Sequence, residues 1–169
     1  FWTKVLYDAG LLSFVEPFQA LRNQGMLLAS DPKNPGAWIK MSKSKGNVVT
    51  PDEVVAKYGA DSLRVYELFV APLADSIQWS EDGINGMHRF LSRIHRLVQD
   101  HSESYDSGWR ARARQETAAW PENKSLARKV HQTLKKVTED IESLQFNTAV
   151  AALMELVNEL YKFIQTVPA

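Results

Sequence analysis

The chain has 169 residues, 44% hydrophobic and 24% charged, with 20 basic and 20 acidic side chains and no cysteine. That is a globular composition; it offers no apolar run approaching the ~20 residues that span a bilayer, and it excludes disulfides and cysteine-held zinc within the chain. Zero formal net charge removes the global basic footprint of a nucleic-acid binder, so any RNA contact must come from local clustering.

Phe1-Trp2-Thr3-Lys4 lacks the basic stretch and apolar core of a signal peptide. Beginning without methionine and inside a helical pattern, the chain reads as a piece of a longer protein. Trp2, Val5, Leu6 and Ala9 recur at helical spacing over Phe1 to Leu12, with Gly10 as the stop. Pro17 opens a short segment, Phe18 to Asn23. Gly25-Met26-Leu27-Leu28-Ala29 reads as a short buried strand, and Ser30 to Gly36 is dense turn chemistry. Trp38-Ile39 is the returning strand of a hairpin.

Thr50-Pro51-Asp52-Glu53 combines a threonine cap, proline at the first helical position and glutamate three residues after the cap. Val54, Val55 and Tyr58 supply the apolar side of that helix and Gly59 its stop. Asp61 is the cap expected for a further helix, Ser62 to Ala71, ended by Pro72. Ser80 caps a long helix to about His101, with Ile84, Met87, Leu91, Ile94 and Val98 as its apolar stripe. Residues 102–123 have no clean period and read as a linker or a poorly packed excursion. Helical periodicity returns with Leu126, Val130, Val137, Ile141 and Leu144, breaks at Gln145-Phe146-Asn147, and resumes through Val150, Leu153, Met154, Val157, Leu160, Tyr161 and Ile164. Three amphipathic helices, each near twenty residues, make an α-helical bundle that lacks a fourth partner. The fold class is therefore mostly α: a small α/β part followed by the bundle, divided at 1–78 and 79–169.

The chemistry concentrates in Lys40-Met41-Ser42-Lys43-Ser44-Lys45-Gly46-Asn47. Serine and asparagine compete for backbone hydrogen bonds and glycine loses most entropy on ordering, so this is a loop. Mobile lysines beside hydroxyls suit a polyphosphate whose charge grows during reaction. A lysine-rich surface loop is also commonly just solvated, and the order of a Walker A loop is absent. The string itself resembles the KMSKS signature of class I aminoacyl-tRNA synthetases, with five matches in five. Gly46-Asn47-Val48-Val49, Pro51-Asp52 and Tyr58-Gly59-Ala60-Asp61 with Leu63-Arg64 resemble the connection after that signature in the subgroup for leucine, isoleucine, valine and methionine. Gln24-Gly25-Met26, Gln78-Trp79-Ser80-Glu81 with Gly83 and Gly86, and Phe146-Asn147-Thr148-Ala149 are most similar to the leucine members.

That resemblance implies a remnant of a class I nucleotide-binding catalytic fold with the KMSKS loop, then an anticodon-binding-type helical domain, incomplete at its C-terminus. It implies that Lys43, assisted by Lys40, binds ATP phosphates and stabilises the transition state for adenylate formation, with Met41, Ser42 and Ser44 completing the ATP site. ATP with Mg²⁺, leucine and tRNA are the implied cofactor and partners, in the cytoplasm. The His-x-Gly-His signature of the family does not occur here, so the isolated chain is expected to be inactive. Alternatives are an isoleucyl-, valyl- or methionyl-tRNA synthetase piece, a non-catalytic synthetase-derived RNA-binding module, or a plain helical interaction domain.

Arg89, Arg93 and Arg96 fall at i, i+4 and i+7 on one helix face, flanked by His88 and His95 and followed by Arg110, Arg112 and Arg114. Phosphate contact and simple solvation look alike in such a pattern; the resemblance favours contact with tRNA phosphates, which would position the RNA without reading bases. His88, His95, His101 and His131 have no metal-like pairing with carboxylates, and no metal site is expected. Asp52 and Glu53 suit a helix N-terminus better than a catalytic pair. Trp79 and Trp109 are the wide aromatic faces on which a base could stack, although burial in a core explains a tryptophan equally well.

Overall fold

A computed structural model describes residues 1–109, 112 and 121–166, with the side chains of 121 and 122 excepted. It opens with α1 (Trp2–Asp8), then β1 (Leu27–Ser30), β2 (Trp38–Lys40), α2 (Pro51–Tyr58), α3 (Ala60–Phe69), β3 (Ile77–Gln78) and α4 (Glu81–Asp100). Two long helices complete it, α5 (Pro121–Glu142) and α6 (Phe146–Thr166). The expected class, mostly helical with a small sheet, is the one observed.

The sheet is built around β1. Strand β2 returns antiparallel to it, pairing Leu28 with Lys40, Ala29 with Ile39 and Ser30 with Trp38. The turn between them closes on three backbone bonds, from Asp31 N to Ala37 O, Asn34 N to Asp31 O and Ala37 N to Asn34 O. On the other edge β3 lies parallel, Leu27 opposite Ile77 and Leu28 opposite Gln78. Two residues carry no readable alternation, so this strand is absent from a reading by periodicity. Gly25 comes closer still to the chain before β3. Its N–H donates to Leu73 O at 2.8 Å, and a Cβ there would sit 1.7 Å from Asp75 O.

Several expected boundaries move. Helix α1 stops at Asp8, and Gly10 lies in the left-handed region as expected. Its stripe finds no cover among the described residues, with Trp2 70% exposed. The expected segment Phe18 to Asn23 is irregular chain. Six residues with Phe18 and Leu21 in solvent cannot repay helix nucleation. Thr50 sits at the start of α2 and Pro51 at its first position, but the threonine side chain makes no capping bond. Gly59, at φ 83°, both ends α2 and precedes α3, so the N-cap of α3 is Gly59 and Asp61 lies in its first turn. One glycine turns the chain between two helices because an extended conformation with positive φ suits no other residue.

Ser80 caps α4 as expected, its Oγ accepting from Gly83 N at 3.1 Å. The buried face of α4 is Ile84, Met87 and Phe90, whereas Val98 is 64% exposed. The observed stripe thus turns away from the Leu91–Val98 side read from the pattern. Ile84 and Met87 join Val54, Leu63 and Tyr66 in one buried cluster, flanked by Val49, Tyr58, Trp79 and Met154. That cluster draws on α2, α3, α4 and α6, so it straddles the expected division at 78/79. On α5 the buried side chains are Thr133 and Asp140, while Val130 and Ile141 face outward. Asp140 explains the rotation. Its carboxylate accepts from Lys136 Nζ and from Thr148 Oγ1, each at 2.7 Å, and locks the turn into α6.

Candidate functional site: the lysine loop and the arginine face

Lys40 ends β2 and is held in register opposite Leu28, so the first lysine stands on a sheet. From Ser42, extended at φ −152°, the chain makes a single 3₁₀ turn over Lys43–Lys45 and reverses at Gly46, φ 67°. Backbone bonds from Lys45 N to Ser42 O and Gly46 N to Lys43 O close that turn. The Ser42 and Ser44 hydroxyls meet at 2.8 Å, and Ser42 N donates to Asn47 Oδ1 at 2.9 Å. Beyond Asn47 the loop is anchored again, because Val49 packs on the buried cluster.

Lys40, Lys43, Ser44 and Lys45 are exposed, and Met41 and Ser42 are half-buried. Among the described residues none of the three lysines forms an ion pair. The result is a cationic tip on two fixed ends, able to meet an anion without first breaking internal bonds. Behind it lies an open cavity of ≈ 400 Å³ lined by Trp38, Asn47, Val48, Val49 and Trp79 among others. Trp79 is a packing residue here: its ring meets Tyr66 edge-on at 5.2 Å. Burial pushes the Tyr66 phenol up from its usual range, and its oxygen accepts from Ser80 N at 2.9 Å.

The arginine face divides. Arg93 is already engaged, donating to Asn158 Oδ1 at 3.0 Å and lying 4.9 Å over the Tyr161 ring, while Tyr161 donates to the Arg93 carbonyl at 2.8 Å. It fastens α4 to α6. Arg89 and Arg96 are exposed and form no ion pair among the described residues. Arg96 borders an open groove with Tyr58, Asp61, His88, Leu91, His95 and Gln99. Arg112 pairs with Asp106, and Arg110 and Arg114 lie outside the described residues.

His88 is more than a surface residue. Its Nδ1 lies 3.1 Å from Tyr58 O and 3.3 Å from Ser62 Oγ, which links α4 to the α2–α3 turn. Sequence reasoning missed this, and no local signal marks it, since the partners lie 26 and 30 residues away. It also passed over Asn47, whose place at the end of the basic string was the available clue. Among the described residues no group of three or more histidines and carboxylates could hold a metal ion.

Two family models match the chain. Residues 1–80 match the class I tRNA synthetases for isoleucine, leucine, methionine and valine, and residues 123–167 match the anticodon-binding domain of tRNA ligases. Among solved structures the chain is similar to the Agrobacterium radiobacter K84 agnB2 LeuRS in its ternary complex with tRNA and LeuAMS, at 36% identity and a TM-score of 0.75. The likeness covers 98% of this chain and 20% of that one, so the chain spans about one fifth of that relative's length. The chain thus resembles a segment of a leucyl-tRNA synthetase, with residues 1–80 matching the class I tRNA synthetases of the isoleucine, leucine, methionine and valine group and residues 123–167 the anticodon-binding domain.

Proposed function

We propose that the protein carrying this chain activates leucine with ATP and transfers it to tRNA, and that this segment supplies the phosphate-binding loop and helices that contact the tRNA. The observation that carries the reading is Lys43, exposed and without an ion-pair partner among the described residues, at the tip of a loop fixed by β2 on one side and by Val49 on the other. In the reaction a carboxylate oxygen of the amino acid forms a bond to the α-phosphorus. The bond from that phosphorus to the bridging oxygen breaks, and pyrophosphate leaves with both electrons. Charge builds on the leaving oxygens, and the Lys43 ammonium, assisted by Lys40, meets it there.

Met41, Ser42 and Ser44 support the loop that carries those lysines. Mg²⁺ would enter with the ATP phosphates, since the described residues of this chain offer it no ligand cluster. The division into a catalytic part, 1–78, and a helical part, 79–169, belongs to the same proposal, as does a cytoplasmic location. No described helix is long and apolar enough to cross a membrane. For the tRNA contact we favour Arg89 and Arg96 over Arg93, whose guanidinium is engaged by Asn158 and Tyr161.

The test is ATP–pyrophosphate exchange by the full-length protein, offered leucine, isoleucine, valine and methionine separately. Exchange with leucine alone, lost in Lys43→Ala, is the expected result. Exchange with another amino acid would keep the mechanism and change the substrate. No exchange with any of the four would leave a non-catalytic RNA-binding module. Residues 1–169 alone should not catalyse exchange, because the histidine signature is not among them.

A further inference from the structure

We infer that Asn47 is a positioning residue: its side-chain amide is the latch that holds the lysine loop in the shape that presents Lys43. This rests on the function proposed above. Two backbone bonds, Lys45 N to Ser42 O and Gly46 N to Lys43 O, close the turn itself, but neither ties the chain entering it to the chain that leaves it after Gly46. The bond from Ser42 N to Asn47 Oδ1 does so, closing a ring across five residues. Its geometry depends on Gly46, whose left-handed φ of 67° brings residue 47 back beside residue 42.

The ring also fixes which way the amide faces. An N–H on Ser42 requires an oxygen opposite, so the amide nitrogen must point away. Asn47 Nδ2 is buried without a hydrogen-bond partner. A leucine would fill similar space without burying an unpaired donor, a cost that the single bond to Ser42 must offset. Asn47 also lines the cavity beside the loop with Trp38, Val48, Val49 and Trp79, so its side chain faces the packed residues on which the loop is anchored. Lys43 stands four residues from this latch on an exposed turn. Release of the ring would leave the ammonium chemically intact but poorly aimed.

The experiment compares Asn47→Ala, Asn47→Leu and Asn47→Asp in the full-length protein by two readouts. In leucine-dependent exchange, Asn47→Ala and Asn47→Leu should lower kcat by about ten- to a hundredfold, the scale of a small misplacement of a catalytic group. The KM for ATP should change little, because the aimed lysine acts on the transition state. Asn47→Asp keeps an acceptor for Ser42 N and should recover most of the rate. In limited trypsin digestion, Asn47→Ala and Asn47→Leu should be cut faster after Lys40, Lys43 and Lys45 but not after Lys57 or Arg64, while Asn47→Asp should cut like the unaltered protein.

Unchanged loop cleavage in Asn47→Ala, a uniform rise at all sites, or an Asn47→Asp as defective as Asn47→Ala would each overturn the latch. A protein that shows no exchange before any substitution would overturn the proposed function instead, and the digestion would still decide the latch.

Discussion

The lysine loop and the α2–α3–α4 junction lie next to each other in the chain and obey opposite rules. Lys43, Ser44 and Lys45 are exposed and held by a few hydrogen bonds, and the lysines form no ion pairs among the described residues. The junction centres on Tyr66, 1% exposed, with its oxygen accepting from Ser80, its ring against Trp79 and its edge against the backbone of Gly83. Unpaired surface cations add nothing to stability and stay free to meet an anion, as the proposed function requires. A junction that must hold a loop and a helical bundle in one relation has to be close-packed. On the proposed function, activity and stability rest on different residues, and substitutions should separate them.

The largest effect is expected at the loop. Lys43→Ala should lower adenylate formation by about 10²–10³-fold, the range for losing one transition-state donor, while leaving the denaturation midpoint unchanged. A variant that melts early would show that the loop contributes packing after all. Gly83→Ala should do the reverse. A Cβ there would lie 2.7 Å from the Tyr66 ring, which is pinned on two sides, and overpacking of this kind costs about 1–3 kcal/mol. Gly86, one turn along, has nothing within 4 Å of its added Cβ, and Gly86→Ala should stabilise α4 by about 0.5–1 kcal/mol. Equal melts for the two alanine variants would remove the steric account of the junction.

Smaller effects distinguish the arginines. Arg93→Ala should lower stability by about 1 kcal/mol, since one charge-assisted bond to Asn158 and the stacking on Tyr161 are lost. Arg89→Ala with Arg96→Ala should leave the melt alone and reduce the salt slope of tRNA binding by up to about two. An unchanged slope would assign both side chains to solvent.

The mildest test concerns the α5–α6 turn. The Lys136 ammonium, and after it the Thr148 hydroxyl, hold the Asp140 carboxyl below its usual pKa. A carboxyl lowered by folding contributes its stability above the unfolded value, about 3.9, and loses it as pH falls through the folded value. Asp140→Asn should therefore melt below the parent at pH 7, and the gap should close as the pH is taken down through the acid range. A gap independent of pH would mean that the charge is irrelevant and only the shape of the side chain counts.

The legible parts of the sequence are those governed by local chemistry. Pro51 at a helix start, Ser80 as a cap and Gly59 as a stop depend on a residue and its near neighbours, and each lies where expected. The short hairpin comes from turn residues between two apolar runs. The candidate loop is legible for the same reason, since its lysines are close neighbours in the chain and stand exposed without a distant partner among the described residues. The strings around Gly25 and Gly83 resemble a family, yet nothing in their neighbours shows why glycine stands there. The cause is steric, a carbonyl of Asp75 in one case and the Tyr66 ring in the other.

The helices of the bundle, the turn chemistry and the cationic loop can all be read without a structure, because helix periodicity, caps and charge are properties of neighbouring residues. Tertiary packing selects which helix face is inside, since that depends on what packs against it: Phe90 rather than Val98 on α4, and Asp140 rather than Ile141 on α5. It alone decided that Arg93 fastens two helices while Arg89 and Arg96 stay exposed, because Asn158 and Tyr161 lie more than sixty residues further on. It alone paired β3 with β1, for a two-residue strand exists through the hydrogen bonds of its neighbour and not through any pattern of its own.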